Sequence, residues 1–275
     1  MKLSVALFLT DILPHRRRIF HKIVKNKIFV NKTESEVFET LKKCGFDGIE
    51  LHLPLFTKVK DEDLMEVQEF LKKHKMPVIS VHQRLRILTK TKISEIVNLF
   101  RVADIFGVKI IVLHMNSAGR QVFSKEYVDI IHSLQKKYGI KVGFENMEKF
   151  FGSLHRGHSW DEDEFAMLMK ENDFYITYDV QHLAHSGGDI IKFYKNNKER
   201  IINIHLSDYK SHIFNTNLRP LRYKHLPLGK GTLPIKKFLQ VLKTEKYNGV
   251  VTFEMHTDLN GVCEGAHVFN SVINK

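Results

Sequence analysis

The stretch Tyr175–Asp189, YITYDVQHLAHSGGD, begins as a strand and ends in groups that are costly to bury. Its first four residues are aromatic or β-branched, which is typical of a strand buried in a sheet. The strand then delivers Asp179 at its carboxyl end, and His182 and His185 follow before a Gly-Gly turn. These groups need partners, because an unpaired buried charge is unfavourable. If other strands also end in carboxylates or imidazoles, these groups would indicate one shared binding site.

Short apolar runs alternate with longer amphipathic runs along the whole chain. The runs predicted as strands are Leu3–Leu9, Gly48–Leu53, Val78–His82, Lys109–His114, Lys141–Asn146, Phe174–Asp179, Ile201–Leu206 and Val250–Met255. Between them lie helix patterns such as SEVFETLKKCG, whose apolar residues share one face before the helix stops at Gly45. SEIVNLFRVADIFG and SKEYVDIIHSLQKKYG begin on Ser94 and Ser124 and end on glycine, which predicts a serine N-cap and a glycine C-cap for both.

Eight strand-then-helix units at spacings near 30 residues predict a parallel sheet with right-handed crossovers. Eight such units close naturally into a (β/α)8 TIM barrel. The sequence therefore predicts an α/β protein with one barrel domain over residues 1–275, a length that suits a single barrel. An open, doubly wound sheet is the alternative, but no GxGxxG motif follows any predicted strand.

The charge balance favours anionic partners, either nucleic acid or a phosphorylated small molecule. Lysine and arginine outnumber the acids 43 to 31, which gives a net charge of +12. The segment His15–Lys32 contains seven lysines and arginines and no acid, and Arg84 and Arg86 follow the third strand. This segment would follow a DNA backbone, hold one sugar phosphate, or form a surface helix with a cationic outer face.

The two cysteines, Cys44 and Cys263, do not form a CxxC pair. This argues against a disulfide framework or a zinc ribbon and fits a reducing cytosol. The N-terminal run MKLSVALFL is interpreted as the first strand, because it is short and Asp11 and His15 follow it closely. Since no apolar segment approaches the roughly 20 residues that span a bilayer, we expect a soluble, cytoplasmic protein without a membrane partner.

Seven of the eight predicted strands end in a carboxylate or an imidazole. These groups, with the polar residues beside them, are Glu50 and His52, His82, His114 and Asn116, Glu145 and Asn146, Asp179 and His182, His205 and Asp208, and Glu254 and His256. In a barrel these ends converge on one mouth, where the active site lies. A lone histidine there is usually structural, but a converging set predicts a shared divalent cation. Mixed carboxylate and imidazole ligands suit manganese, zinc, cobalt or iron.

Several motifs together resemble the xylose-isomerase-like barrels. They are GFDGIEL, VGFEN, YDVQHLAHSGGD, INIHLSDY, HLPLGKGTLPIKKFL and YNGVVTFE, and they cover essentially the whole chain in this order. That superfamily includes sugar-phosphate isomerases and epimerases as well as the endonuclease IV repair enzymes. By resemblance to its ketohexose-epimerase-like members, the metal ligands here are Glu145, Asp179, His205 and Glu254.

The resemblance also implies a chemistry for the site. In the epimerase branch the two glutamates, here Glu145 and Glu254, shuttle a proton at the carbon next to a metal-bound carbonyl. His182 matches a histidine that contacts substrate, and Arg219 or Arg222 matches an arginine that binds a substrate oxygen. The implied cofactor is manganese, zinc or cobalt, and the implied substrate is a small sugar or sugar phosphate. Related sugar-acting barrels are often dimers or tetramers, so a homo-oligomer is a candidate state.

Endonuclease IV-like members hold a three-zinc cluster, and four histidines of this chain occupy matching places. They are His82, His114, His182 and His225. The aspartate that would complete the cluster is replaced by Tyr223, which argues against a full trinuclear site. The sequence thus predicts a metal-dependent sugar isomerase or epimerase. The alternatives are a metal-dependent phosphodiesterase acting at abasic sites in DNA, and a barrel that only binds a ligand.

Overall fold

The computed structural model describes residues 1–13, 27–53, 59–83, 91–114, 123–147, 162–210 and 225–274. Eight parallel strands form a closed barrel in sequence order, and the last strand pairs with the first. The strands are β1 (Lys2–Phe8), β2 (Gly48–His52), β3 (Val78–His82), β4 (Ile110–His114), β5 (Lys141–Glu145), β6 (Tyr175–Asp179), β7 (Ile201–Leu206) and β8 (Val250–Phe253). The predicted (β/α)8 barrel is confirmed, and every predicted strand bound lies within two residues of the observed one.

Helices follow the strands and surround the barrel. In the described part of the chain they are α1 (Leu9–Ile12), α2 (Glu34–Lys43), α3 (Asp61–Lys73), α4 (Ile93–Ile105), α5 (Lys125–Tyr138), α6 (Glu162–Glu171), α7 (Val180–His185), α8 (Ile190–Asn197), α9 (Ile235–Thr244) and α10 (Leu259–Ile273), with a 3₁₀ turn at Lys27–Phe29. None of these described helices combines the length and the apolar character that crossing a bilayer requires.

Of the two serines predicted as helix N-caps, one is confirmed and the other is wrong. Ser124 is the N-cap of α5, and Gly139 ends that helix in the left-handed region with a φ of 62°. Ser94 is not the N-cap of α4, because the helix begins one residue earlier, after Lys92. There the side chain of Glu95 accepts the backbone N–H of Lys92 at 3.1 Å, so a carboxylate rather than a serine hydroxyl satisfies the first turn.

The strands alternate between an apolar outer face and a polar interior. Phe253 of β8 packs on Phe269 of α10, and Tyr178 of β6 packs on Phe238 of α9, so these side chains point outward to the helices. The neighbouring strand positions are polar and buried, and they point into the barrel. These interior residues are Ser4, Glu50, Ser80, Thr177, Asn203 and Thr252. The carboxyl end of this polar interior carries the candidate site.

Cys44, which follows α2, forms a disulfide with Cys263 in α10. The expectation that the cysteines form no disulfide is therefore wrong. Its physical cause is barrel closure: β1 pairs with β8, so the first and last parts of the chain become neighbours although the two cysteines are 219 residues apart. The expectation of a cytoplasmic location rests partly on the expected absence of a disulfide, and the disulfide removes that argument. The location stays a prediction.

Candidate metal centre

Four side chains from four consecutive strands meet at the carboxyl end of the barrel. Glu145 and Asp179 end β5 and β6, His205 lies near the end of β7, and Glu254 directly follows β8. Each offers a ligand atom, and these atoms all lie within 4.8 Å of one another. The structure thus brings together the four residues that the sequence predicts as metal ligands. Their role as ligands stays a prediction.

His205 stands at the centre of this group. Its Nδ1 lies 3.3 Å from Oε1 of Glu145 and 2.9 Å from Oε2 of Glu254. Oδ1 of Asp179 accepts the backbone N–H of His182 at 2.6 Å. Oδ2 of Asp179 and Oε2 of Glu254 are buried and accept no hydrogen bond of good geometry, although Oε2 of Glu254 keeps its ion-pair contact with Nδ1 of His205. Because a buried carboxylate oxygen without a donor is unfavourable, the four residues fit a divalent cation that would satisfy both oxygens.

Burial and neighbouring charges shift the pKa values of the four groups. Burial alone would raise the pKa of Glu145 and of Glu254, but His205 holds the pKa of both carboxyls below their usual range. For His205 burial opposes the charged form, yet the surrounding carboxylates raise its pKa well above the usual value. Burial raises the pKa of Asp179 to about 7. Without a cation, therefore, His205 carries the positive charge that balances the glutamates.

His82 and His114 form a second group around the other oxygen of Glu145. Their Nε2 atoms lie 3.3 Å and 3.1 Å from Oε2 of Glu145, and the three side chains also present ligand atoms within 4.8 Å of one another. Nδ1 of His82 lies 2.8 Å from the carbonyl oxygen of Gln83, so this nitrogen must carry the proton. Nε2 of His82 can then donate to Glu145 only if the ring is charged, and otherwise it offers a lone pair to a cation.

His182 and His225 lie beside the four-residue group but outside it. Among the described residues they belong to no set of three side chains whose ligand atoms lie within 4.8 Å. Nδ1 of His182 lies 3.3 Å from Oε1 of Glu145, and His225 packs edge-on against the His182 ring at 5.5 Å. Burial lowers the pKa of His225 to about 4, so this ring is neutral at physiological pH. Among the residues that the structure describes, a third metal has no complete set of ligands.

Asp208, a further acid after β7, is held by backbone N–H groups of the following loop rather than by the four-residue group. Its carboxylate accepts the backbone N–H groups of Gly229, Gly231 and Leu233 at 2.9 to 3.1 Å. Asp208 therefore holds the glycine-rich loop that follows β7 in place. A Cβ at Gly231 would lie 2.2 Å from Oδ1 of Asp208, so only glycine fits this position.

Other predicted residues lie outside the described part of the chain. They are Arg219, Arg222, Tyr223, Arg84, Arg86 and residues 15–26 of the basic segment. Their predicted roles in binding a substrate oxygen or an anion stay predictions. Glu50, which the sequence pattern places in the converging set of strand-end groups, is fully buried directly against His205. Its signal in the sequence is an acid inside an otherwise apolar strand.

The sequence profile of the xylose isomerase-like TIM barrel family matches residues 38–271. The chain belongs to this family. An uncharacterized protein of Mycobacterium leprae is 21% identical over 242 residues, which cover 80% of this chain and 83% of that protein.

Two solved structures of epimerases share the fold. The 3-keto-D-glucoside 4-epimerase from E. coli has a TM-score of 0.66 at 14% identity and covers 98% of this chain and 99% of its own. D-psicose 3-epimerase from Clostridium cellulolyticum H10, solved with D-tagatose, has a TM-score of 0.67 at 12% identity and covers 99% of both chains. At these identities the similarity shows the fold, whereas the family match over residues 38–271 confirms the resemblance that the sequence motifs indicate.

Proposed function

We propose that this protein is a divalent-metal-dependent isomerase or epimerase of a small sugar or sugar phosphate. The observation that carries the proposal is the convergence of Glu145, Asp179, His205 and Glu254, with two buried carboxylate oxygens that accept no hydrogen bond. The family supports it, because two proteins with the same fold are epimerases that act on a ketohexose or a keto-glucoside. The proposed cofactor is manganese, zinc or cobalt.

A divalent cation held by these four side chains would act as a Lewis acid on a carbonyl compound. The chain's own residues would then move the proton. A carbon next to a carbonyl becomes acidic enough for a carboxylate to remove its proton, provided that the carboxylate is ionised and within reach. Both glutamates meet the first condition, since His205 lowers the pKa of each carboxyl.

The two glutamates differ in exposure, which suggests different parts in the proton transfer. The side chain of Glu254 is 25% exposed, whereas that of Glu145 is 2% exposed and enclosed by histidines. Glu254 is therefore assigned the removal of the proton from a substrate that enters through the barrel mouth. Glu145 would take up a proton from solvent and return it to the same or the adjacent carbon, while Glu254 would release the proton it removed to solvent, so one turnover gives an epimer or an isomer with no net change in protons.

A second function, phosphodiester cleavage at abasic sites, is favoured by one specific observation. His82, His114 and Glu145 form a further set of potential ligands, and Glu145 belongs to both sets. Two cations bridged by one carboxylate are a common arrangement in enzymes that cleave phosphodiesters. The net charge of +12 is compatible with a DNA substrate. In this alternative, His82 and His114 would bind metal rather than hold Glu145 in place.

The test is solvent deuterium incorporation into a panel of ketoses and ketose phosphates, followed by NMR with manganese-, cobalt- or zinc-loaded protein. We expect deuterium at a carbon next to the carbonyl, and loss of incorporation in Glu254→Gln at equal metal occupancy. Glu264→Gln is the matched control, because Glu264 is 60% exposed and lies outside the centre.

The same preparations are incubated with a DNA duplex that contains one abasic site. Cleavage that EDTA and Glu145→Gln both abolish, together with no exchange on any sugar, would replace the isomerase proposal by the phosphodiesterase alternative.

A further inference from the structure

Glu50 lies inside the barrel, directly beneath the four-residue group, and is completely buried. Its Oε2 accepts hydrogen bonds from Oγ of Ser80 at 2.7 Å and from Nδ2 of Asn203 at 2.8 Å. Its Oε1 lies 3.0 Å from Nε2 of His52 and 2.9 Å from Nε2 of His205. A buried carboxylate with partners on both oxygens is electrostatically satisfied by the protein itself.

These contacts distinguish Glu50 from a metal ligand. Glu50, His82 and His205 do present ligand atoms within 4.8 Å of one another. However, both oxygens of Glu50 already accept hydrogen bonds, in contrast to Oδ2 of Asp179 and to Oε2 of Glu254, whose only close partner is Nδ1 of His205 in an ion pair. The His205 ring has two nitrogens, and the one that faces the glutamates at the mouth is Nδ1. Nε2 faces Glu50, away from the mouth.

We propose that Glu50 is a positioning residue for His205, an inference that rests on the metal-dependent function proposed above. Its carboxylate holds the proton on Nε2 of His205 and so keeps the lone pair of Nδ1 directed at the metal. A ligating histidine commonly donates its other ring N–H to a carboxylate in this way, which fixes the tautomer and the ring orientation. In this structure Nε2 of His205 and Oε1 of Glu50 form an ion pair, but the N–H is not aligned for a hydrogen bond. Coordination of a metal at Nδ1 would fix the plane of the ring and so the direction of this N–H.

Glu50 is itself held by residues of other strands of the barrel. Oγ1 of Thr252 donates to Oδ1 of Asn203 at 3.0 Å, which orients the Asn203 amide so that its Nδ2 points to Glu50. Asn203 is on β7, two residues before His205, and Ser80 is on β3. The carboxylate is therefore fixed by three strands besides its own, and its position relative to His205 is rigid.

The first test is the affinity for zinc, measured by competition with a chromophoric chelator in the full-length protein. Glu50→Gln keeps the shape of the side chain but removes its charge, and we expect zinc affinity to fall by about 10- to 100-fold. Ser4→Ala, which removes another buried interior hydroxyl, should leave the affinity close to that of the wild type. Equal affinities for wild type and Glu50→Gln, or an equal loss in Ser4→Ala, would overturn the positioning role.

A second measurement is made on the wild-type protein and does not depend on whether a Glu50 variant folds. Two-bond ¹H–¹⁵N correlations on ¹⁵N-histidine-labelled, zinc-loaded wild type report which ring nitrogen carries the proton, and the His205 signals are assigned by their absence in His205→Gln. We expect a protonated Nε2 and a coordinated Nδ1. Coordination through Nε2 would overturn the inference alone, whereas a wild-type protein that binds no divalent cation would overturn the proposed function as well.

Discussion

Nε2 of His114 lies 3.1 Å from Oε2 of Glu145, on the neighbouring strand at the mouth of the barrel. The other oxygen of Glu145 faces Nδ1 of His205 at 3.3 Å. Glu145 therefore links His82 and His114 on one side to His205 on the other. Of these histidines, only His205 belongs to the four-residue metal centre. The number of cations per chain depends on whether Oε2 is held by ring N–H groups or by a further cation.

We predict that His114→Ala leaves the metal content at one divalent ion per chain. In the proposed isomerase, His114 holds Oε2 of Glu145 and does not bind metal, so its loss should lower turnover through a less ordered Glu145. The measurement is metal analysis by mass spectrometry after dialysis, with the wild type in parallel. A wild type that holds two ions, of which His114→Ala loses one, would instead favour the phosphodiesterase.

Asp179→Asn should stabilise the metal-free protein at pH 8. Burial raises the pKa of Asp179 from 3.8 to about 7. Folding must therefore overcome a cost that is absent below pH 3.8, grows as the pH rises, and is complete above pH 7. Each pKa unit corresponds to about 1.4 kcal/mol, so this cost is large enough to measure, and asparagine would remove it.

Urea unfolding of wild type and Asp179→Asn in EDTA, at pH 4 and pH 8, checks this prediction. The two proteins should differ little at the lower pH, and manganese at pH 8 should stabilise the wild type more than the variant. An Asp179→Asn protein that is less stable than the wild type in EDTA at pH 8 would contradict it.

Metal affinity should increase steeply with pH. The carboxylates raise the pKa of His205 well above its usual value, so a cation must displace one proton from this ring across the neutral range. Below pH 7 it must also displace the proton of Asp179. We expect the logarithm of the association constant to rise by about two per pH unit below pH 7 and about one above it. Zinc titrations between pH 5.5 and 8.5 measure this slope, and a flat profile would show that neither proton competes with the cation.

Loss of the disulfide should destabilise the fold. The bond between Cys44 and Cys263 closes a loop of 219 residues and joins α2 to α10, so its main effect is on the entropy of the unfolded chain. We expect Cys44→Ser/Cys263→Ser to lower the free energy of unfolding by about 2–5 kcal/mol. Denaturant unfolding measures the loss, and added dithiothreitol should destabilise the wild type but not the double variant. Two alkylatable thiols in the unreduced wild type would show that the bond does not form.

Local patterns in the sequence determined the fold to a large extent. The alternation of apolar runs with capped amphipathic helices predicts the strands β1 to β8 within two residues, because side-chain periodicity and capping act over a few positions. The same patterns placed Glu145, Asp179, His205 and Glu254 at strand ends. In a barrel all such ends face one mouth, so these four residues had to be close to one another.

Contacts between distant parts of the chain were decided only by the tertiary structure. The disulfide depends on closure of the barrel, and the bond from Asn203 to Glu50 spans 153 residues across its interior. Asp208 resembles a candidate ligand in sequence, but the loop that returns at Gly229 takes up its carboxylate. Periodicity tells which face a side chain occupies, not which distant residue it meets there. That pairing depends on the register and closure of the whole sheet.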